Sequence, residues 1–214
     1  MQAVIPYLAV LLRGAAVTVE ISLLALAFSV VIGTAVGLFA SSGLRPAFAL
    51  TRLYVELIRS IPLLVLIFFA YYAIPVLANV NISPYAATTG ALSIYGGAYM
   101  SEVVRSGIQS VGRNQWEAAR ALGLRYARIM LLIVFPQAIR VMLPAGIGVF
   151  IDLIKGSSVA SIIGFIELMQ TAINVRNTIF DLSPIIVAAV LYFCICFGLS
   201  RVGAHLEQSL GHPQ

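Results

Sequence analysis

Apolar positions along the chain come in long unbroken runs, not in the one-faced or alternating patterns of elements that meet water. Runs at 15–40, 61–78, 85–104, 129–154 and 184–200 reach the length of about 17 to 25 residues that carries a helix across a bilayer. Backbone groups in hydrocarbon must be satisfied within the protein, and a helix does this inside one segment. The pattern predicts an all-α membrane protein of five transmembrane helices. The stretch at 157–173 differs, because Ser157, Ser158, Ser161, Glu167 and Gln170 interrupt it. A full span there would bury those groups without partners, so a short re-entrant or interfacial helix is expected. The first run is expected to stay as a span instead of being cleaved as a signal, since Arg13 is the only cation before it and it exceeds a signal's apolar core. Residues 1–14 are read as a short helix on the outer surface. Gly33 and Gly37 form a small-xxx-small pair, read as a close crossing within the subunit.

Composition supports this class. Of 214 residues, 61% are hydrophobic and 10% charged, with a mean hydropathy of +1.01, whereas soluble domains hold about 45 to 50% apolar and about 25% charged residues. Disorder and a nucleic-acid-binding module are excluded together, because both need long polar or basic surfaces. The net charge of +5 then asks for a cause. Arg45, Arg52 and Arg59 lie between the first two runs, and Arg105, Arg113, Arg120, Arg125 and Arg128 between the third and fourth, which is eight of the 13 basic residues. Positive charge in short loops marks the cytoplasm, so these loops face inward, the N-terminus lies outside and the C-terminus, with Arg201, inside. No linker or repeat divides the chain, and residues 1–214 read as a single transmembrane domain. Cys194 and Cys196, within an apolar run, read as buried thiols.

Catalytic signatures are absent. The single lysine, Lys155, follows Ile154 instead of a glycine, which excludes GxxxxGK[ST], and neither HExxH nor GxSxG occurs. His205 and His212 fall in the C-terminal tail and read as solvated. With no catalytic residue and no metal-ligand set, what remains is binding, moving or conducting.

The second basic loop carries a defined helix at about 114–123. Asn114 and Glu117 have capping-box spacing, Gly123 is a left-handed stop, and Glu117 is spaced to pair with Arg113 or Arg120. Ala118, Ala119, Ala121 and Leu122 leave a smooth surface. Such a helix fits a partner's groove or lies as a connector on the headgroups.

The run Glu117-Ala118-Ala119-x-x-x-Gly123, followed after nine residues by Ile133-x-Phe135-Pro136, resembles the EAA loop of permease subunits of bacterial ATP-binding-cassette (ABC) importers, with Phe135 in place of a leucine. Three further stretches resemble the polar amino acid uptake branch of histidine-, glutamine- and arginine-type importers: Tyr54-Val55-Glu56-Leu57-Ile58-Arg59-Ser60-Ile61-Pro62-Leu63-Leu64, Tyr99-x-x-Glu102-x-x-Arg105-Ser106-Gly107-Ile108, and Leu153-Ile154-Lys155-Gly156-Ser157-Ser158-Val159-Ala160-Ser161-Ile162-Ile163-Gly164. The resemblance implies a type I importer permease in the bacterial cytoplasmic (inner) membrane that translocates polar amino acids. Its implied partners are a second permease subunit in a homo- or heterodimer, an ABC ATPase subunit dimer, an extracytoplasmic amino-acid-binding protein and membrane lipids, with no nucleic acid. The chain itself is then no enzyme and binds no cofactor, ATP and Mg belonging to the ATPases. Carried onto this sequence, Glu117, Ala118, Ala119 and Gly123 form the ATPase-coupling contact.

Candidate residues for a substrate path follow from polar groups at membrane depth. Tyr95, Tyr99 and Glu102 share one helical face, beside Gly96 and Gly97. Either they form a polar pocket in which Glu102 meets an ammonium group, or Glu102 pairs with Arg105 and the tyrosines pack. Arg59 and Ser60, ahead of Pro62, offer a cation to a carboxylate, or Arg59 is a topological charge paired with Glu56. Gly156, Ser157 and Ser158 are expected to break the helix near the translocation path. Relatives in this branch often carry a polar or acidic residue where Gly156 stands, which argues against a strongly cation-selective site. Asp152 and Lys155 have the spacing of an ion pair, Arg140 needs a partner or a wet cavity, and Glu20 reaches the outer interface. Alternatives are an importer permease for another small solute, such as an opine or osmolyte, and a secondary transporter or channel. The latter calls for inverted repeats or a filter-like loop, and neither is visible.

Overall fold

The computed structural model describes residues 2–42 and 45–210, and their secondary structure is helical throughout, with no strand among them; His212 lies outside this range. A 3-10 turn, Gln2–Tyr7, runs directly into α1 (Leu8–Ala40), so residues 8–14 begin the first long helix instead of forming a separate surface helix. Next, α2 (Arg45–Ser60) is amphipathic, with Val55 and Ile58 buried, and bends by 99° into α3 (Leu63–Ala78). Pro62 explains the bend: a residue before proline is pushed out of the helical region, and Pro62 itself sits extended at φ −57°, ψ 138°.

The next helix, α4 (Pro84–Ser110), starts from Ser83, whose hydroxyl accepts the Ala86 N–H at 3.2 Å, with Pro84 at the first helical position. After a short helix, α5 (Arg113–Ala121), the chain forms α6 (Tyr126–Ile163). A turn leads to α7 (Leu168–Ile179), then α8 (Ser183–Leu210). The Asp181 carboxylate accepts the Ser183 N–H at 3.0 Å ahead of α8, a bond that holds its pKa below the usual carboxylate range. α8 carries His205 within a helix, where the sequence suggested a tail.

Both α3 and α6 contain a wide π-helical turn, at Phe69–Ala73 and Met130–Val134. Each ends two residues before a proline, with Ile74 N–H bonded to Phe69 O and Phe135 N–H to Met130 O. Pro75 and Pro136 have no N–H to give and crowd the carbonyl four residues back, so the helix widens upstream of the ring.

The bundle is organised around α4, buried along most of its length at Ala87, Ala91, Leu92, Gly96, Gly97, Ala98, Val104 and Ile108 among others. α1 lies against it at close range: a Cβ on Gly33 would fall 2.5 Å from Met100 Cβ, and one on Gly37 2.7 Å from Val104 Cβ. The small-xxx-small pair is thus a crossing within the subunit. Its burial also explains why α4 is less apolar than its neighbours. Among the described residues three helices, Val4–Ala40, Tyr126–Ile163 and Ser183–Leu210, are fit by length and composition to cross a membrane, or four if the bent pair α2–α3 is one span. The five expected runs all fall on helices, but α4 does not qualify by composition.

The stretch at 157–173 departs most from expectation. No separate helix spans it: α6 continues and tightens to a 3-10 helix at Ser158–Ile163, and the chain then turns at Gly164, with φ +75°. Ser157, Ser158 and Ser161 donate to carbonyls three residues back, at 2.8, 2.6 and 2.7 Å, and the helix is not broken at Gly156–Ser158. Glu167 is fully buried (0% exposed) yet well partnered. Its Oε1 accepts the Gln170 N–H at 2.8 Å, capping α7. Its Oε2 accepts the hydroxyls of Thr18 of α1 at 3.2 Å and Tyr192 of α8 at 2.5 Å, and Thr18 accepts the Leu168 N–H at 3.2 Å. Every partner is a donor, which suits a carboxylate at a helix N-terminus. Two smaller readings also change. Cys194 is exposed and Cys196 partly so, both as free thiols, and no ion pair joins Asp152 to Lys155 among the described residues.

Tyr192→Phe removes one hydrogen bond to a buried carboxylate, worth about 1.5 to 3 kcal/mol. It is expected to lower the unfolding midpoint of the purified protein in detergent, and Glu167→Ala, which orphans three donors, to lower it further. An unchanged midpoint in both variants refutes a stabilising role for this three-helix contact.

Candidate functional site

Local chemistry fixes both ends of α5, though not as the spacing suggested. Gly112 occupies the N-cap without a side-chain bond, and Asn114 lies inside the helix, so no capping box forms. Glu117 is taken by Arg113, whose Nε donates to Oε1 at 2.7 Å, and not by Arg120. At the other end Gly123 adopts φ +74°. Its N–H donates to Arg120 O at 2.9 Å and the Leu124 N–H to Ala119 O at 3.2 Å, the two bonds of a Schellman closure. Leu124 then packs on the apolar cluster around Ala119, Ile108, Ile129 and Val134.

This closure sorts the four EAA-loop residues. Ala119 is 1% exposed and faces its own subunit, so bulk there would push α5 off the protein that carries it. Glu117, Ala118 and Gly123 are exposed, and beside them Leu122 is 79% exposed. Two aromatic residues that sequence reasoning passed over also hold α5. The Trp116 and Tyr126 rings stack with centroids 5.9 Å apart, and the Tyr126 hydroxyl donates to Ser41 O at 3.1 Å. Trp116 lies one helical turn from Arg120 and Arg113 and carries a signal as the only tryptophan in the chain; Tyr126 carries none.

In the C-terminal half of α4 the structure brings Tyr95, Tyr99 and Glu102 together with Arg59 of α2. The Tyr95 hydroxyl donates to that of Tyr99 at 3.3 Å, with ring centroids 4.8 Å apart. The Arg59 guanidinium lies 4.9 Å over the Tyr99 ring, a cation–π distance. The α2–α3 bend delivers it there. Glu56 is occupied by Arg52, whose Nε donates to it at 2.6 Å, and no ion pair joins Glu56 to Arg59 among the described residues. Glu102 is held by Arg105, with Nη2 at 2.7 Å from Oε2 and Nε at 3.1 Å from Oε1. It is therefore a neutralised carboxylate, as the second of the two sequence readings has it. Beside them opens a cavity of about 290 Å³ lined by Arg52, Glu56, Arg59, Ser101, Glu102 and Arg105.

The other candidates stand apart from this cluster. Ser60 bonds back to Glu56 O at 2.6 Å. Gly156 packs so tightly that a Cβ would lie 2.7 Å from Leu63 Cδ2, and Ser157 is fully buried. Arg140 lines a separate cavity of about 520 Å³ between α6 and α8, together with Ser200 and Glu207. Glu20 accepts the Tyr85 hydroxyl at 3.3 Å.

Comparison with known proteins adds the wider frame. The family model described as "Binding-protein-dependent transport system inner membrane component" matches residues 29–212. Among curated relatives from Bacillus subtilis (strain 168), a "Probable glutamine ABC transporter permease protein" is 37% identical, over 90% of this chain and 89% of its own. An L-cystine transport system permease protein is 36% identical, over 94% and 86%, and an arginine transport system permease protein 30% identical, over 97% and 95%. A crystal structure of an amino acid ABC transporter with histidines is 32% identical, covers 97% of both chains and superposes with a TM-score of 0.91. The methionine ABC transporter MetNI in an inward-facing conformation superposes at 0.85 over 97% of this chain with 19% identity, a likeness of fold. On the family match and on relatives of this identity across most of its length, the chain belongs to the inner-membrane component family of binding-protein-dependent transport systems.

Proposed function

We propose that this chain is the permease subunit of an ABC importer that moves polar amino acids into a bacterial cell through the cytoplasmic membrane. The observation that carries this reading is the exposed, rigidly closed α5, bearing the EAA loop, in a chain whose relatives are amino acid permeases. In this reading α1, α3, α4, α6 and α8 are the five spans, and the amphipathic α2 lies at the inner face ahead of α3. The N-terminus is outside, and α5 and the C-terminus are inside. Two ATPase subunits, which hold ATP and Mg, receive α5 from below. A second permease subunit completes the pore, and an extracytoplasmic binding protein delivers the substrate. ATP-driven closure of the ATPases displaces α5 and drives the spans between outward-open and inward-open arrangements as rigid bodies. Glu117, Ala118 and Gly123 present the contact, and Ala119 anchors it.

Along the path, Arg59 forms no ion pair among the described residues and so offers a cation to a carboxylate, and the Tyr95 and Tyr99 hydroxyls offer neutral hydrogen bonds. Glu102, already neutralised by Arg105, gives an ammonium or guanidinium group little. Neutral polar or acidic amino acids therefore fit this lining better than basic ones. Gly156, Ser157 and Ser158 shape the neighbouring wall of α6.

Three measurements test the reading. In proteoliposomes holding the complete transporter and its binding protein, uptake is expected to require ATP and to favour amide or acidic amino acids in a panel that includes basic ones. Arg59→Ala is expected to reduce uptake about tenfold, the factor corresponding to ~1.4 kcal/mol; uptake unaffected by ATP sinks the importer assignment. Gly123→Asp puts a side chain on a left-handed backbone, a strain of about 1 to 2 kcal/mol, and a charge beside the docking face. It is expected to abolish uptake while the protein remains in the membrane. Retention of both ATPase pull-down and uptake would disprove the coupling role. After replacement of Cys194 and Cys196, a cysteine at Val80 is expected to react with an impermeant maleimide in intact cells, and one at Leu122 only after permeabilisation. The reverse pattern inverts the topology.

A further inference from the structure

Taking α5 as the coupling helix, as proposed above, leaves open how its displacement reaches the far side of the bundle. Contacts place α5 on the base of α6 through Ala119 and the Schellman closure. A second route leaves from the same face one turn earlier, at Trp116, which packs on the edge of that cluster. Trp116 stacks on Tyr126 at 5.9 Å with rings 28° apart, and the Tyr126 hydroxyl crosses 85 residues of sequence to the Ser41 carbonyl at 3.1 Å.

Ser41 is a fixed point. Its N–H and its hydroxyl both bond to Gly37 O, at 3.1 and 2.9 Å, closing the last turn of α1. Gly37 in turn abuts Val104 and the Ser101 carbonyl of α4. A continuous series of contacts thus runs from α5 through two rings and one hydrogen bond to the paired backbones of α1 and α4. Beside it opens a recess of about 700 Å³ bordered by Ser41, Gln109, Arg113, Trp116, Arg120 and Tyr126. Tyr126 is 46% exposed. Trp116 packs partly on the apolar cluster behind α5, whereas Tyr126 reaches Ser41 across the rim of this recess, so that hydrogen bond contributes more to relative position than to stability.

We propose that Trp116 and Tyr126 are positioning residues that transmit displacement of α5 to α1 through the Ser41 carbonyl. Without the bridge, the end of α1 lags behind α5 and the helices packed with it, and ATP is hydrolysed without a matching transport event. The decisive variant is Tyr126→Phe, which keeps the ring and its stack and deletes only the hydroxyl.

The experiment measures uptake and ATP hydrolysis in the same proteoliposomes, on the complete transporter with its binding protein, at equal amounts of assembled complex. Tyr126→Phe is expected to lower substrate transported per ATP about threefold to tenfold, the factor that one hydrogen bond commands, with assembly and unfolding midpoint unchanged. Trp116→Ala is expected to lower the ratio at least as far, and Trp116→Phe to restore part of it. If Trp116→Ala does not assemble, Tyr126→Phe decides alone. An unchanged ratio in Tyr126→Phe overturns the proposal, as does a fall in uptake that only tracks loss of assembled complex. Failure of the underlying reading looks different: the unmodified transporter would then take up substrate without ATP hydrolysis, or Gly123→Asp would leave uptake intact.

Discussion

The approach of α1 to α4 at backbone distance is the constraint on which the other elements depend. Gly33 and Gly37 on one helix, and Gly96 and Gly97 on the other, leave no room for a Cβ, the last pair meeting Ser29 and Ile32. Between helices in lipid, association rests on packing and interhelical hydrogen bonds, because the solvent is as apolar as the side chains. Shallow, small-residue surfaces maximise that contact. Once α1 and α4 are joined, α4 is shielded from lipid, and its threonines, serines and charged pair become tolerable. α6 packs on the same helix at Gly107 through Met142, and the bent α2–α3 unit closes over the remaining face, which is how Arg59 comes to rest on Tyr99.

A second fixed point lies where α1, α7 and α8 meet Glu167. Three donors and a helix N-terminus converge on one carboxylate, and the cost of burying the group is offset by partners from all three elements. The two fixed points sit at opposite ends of α1: Thr18 near its start, Gly37 and Ser41 at its finish. α1 is thereby held in its first half and at its finish by contacts that differ in kind, polar at Thr18 and steric at Gly37.

Local determinants were legible in the sequence. Gly123 read as a left-handed stop and is one, the glycine pair in the first run read as an internal crossing, and every apolar run lies on a helix. Most of what failed depended on a distant partner. The capping box is the local exception: Glu117 is held by Arg113, one of the two pairings its spacing allows, and the N-cap falls at Gly112, two residues before Asn114. The polar residues at 157–173 argued against burial because nothing nearby was there to pair with Glu167. Its partners Thr18 and Tyr192 are 149 and 25 residues away. Ala118 and Ala119 are indistinguishable as letters, and only the cluster behind α5 shows that one faces out and the other in. The candidate path was half legible for the same reason. The four residues from α2 and α4 do converge, but the i,i+3 spacing that joins Glu102 to Arg105 is local, whereas the packing of Gly156 on Leu63 is not.

The wide turn at Met130–Val134 gives the spacing between the EAA loop and Pro136 a meaning in angle. A π-turn inserts one residue beyond the α-helical count, and each residue of an α-helix advances the azimuth by about 100°. Everything on the N-terminal side of the turn is therefore out of phase, by about one residue's rotation, with what a regular helix through Pro136 would present. Buried positions spaced by four, Met130, Val134, Ala138 and Met142, track that slower winding. The length of the segment between Gly123 and Pro136 thus sets the bearing on which α5 points more than how far it reaches. Shortening it by one residue would leave the helix long enough and its docking face turned aside.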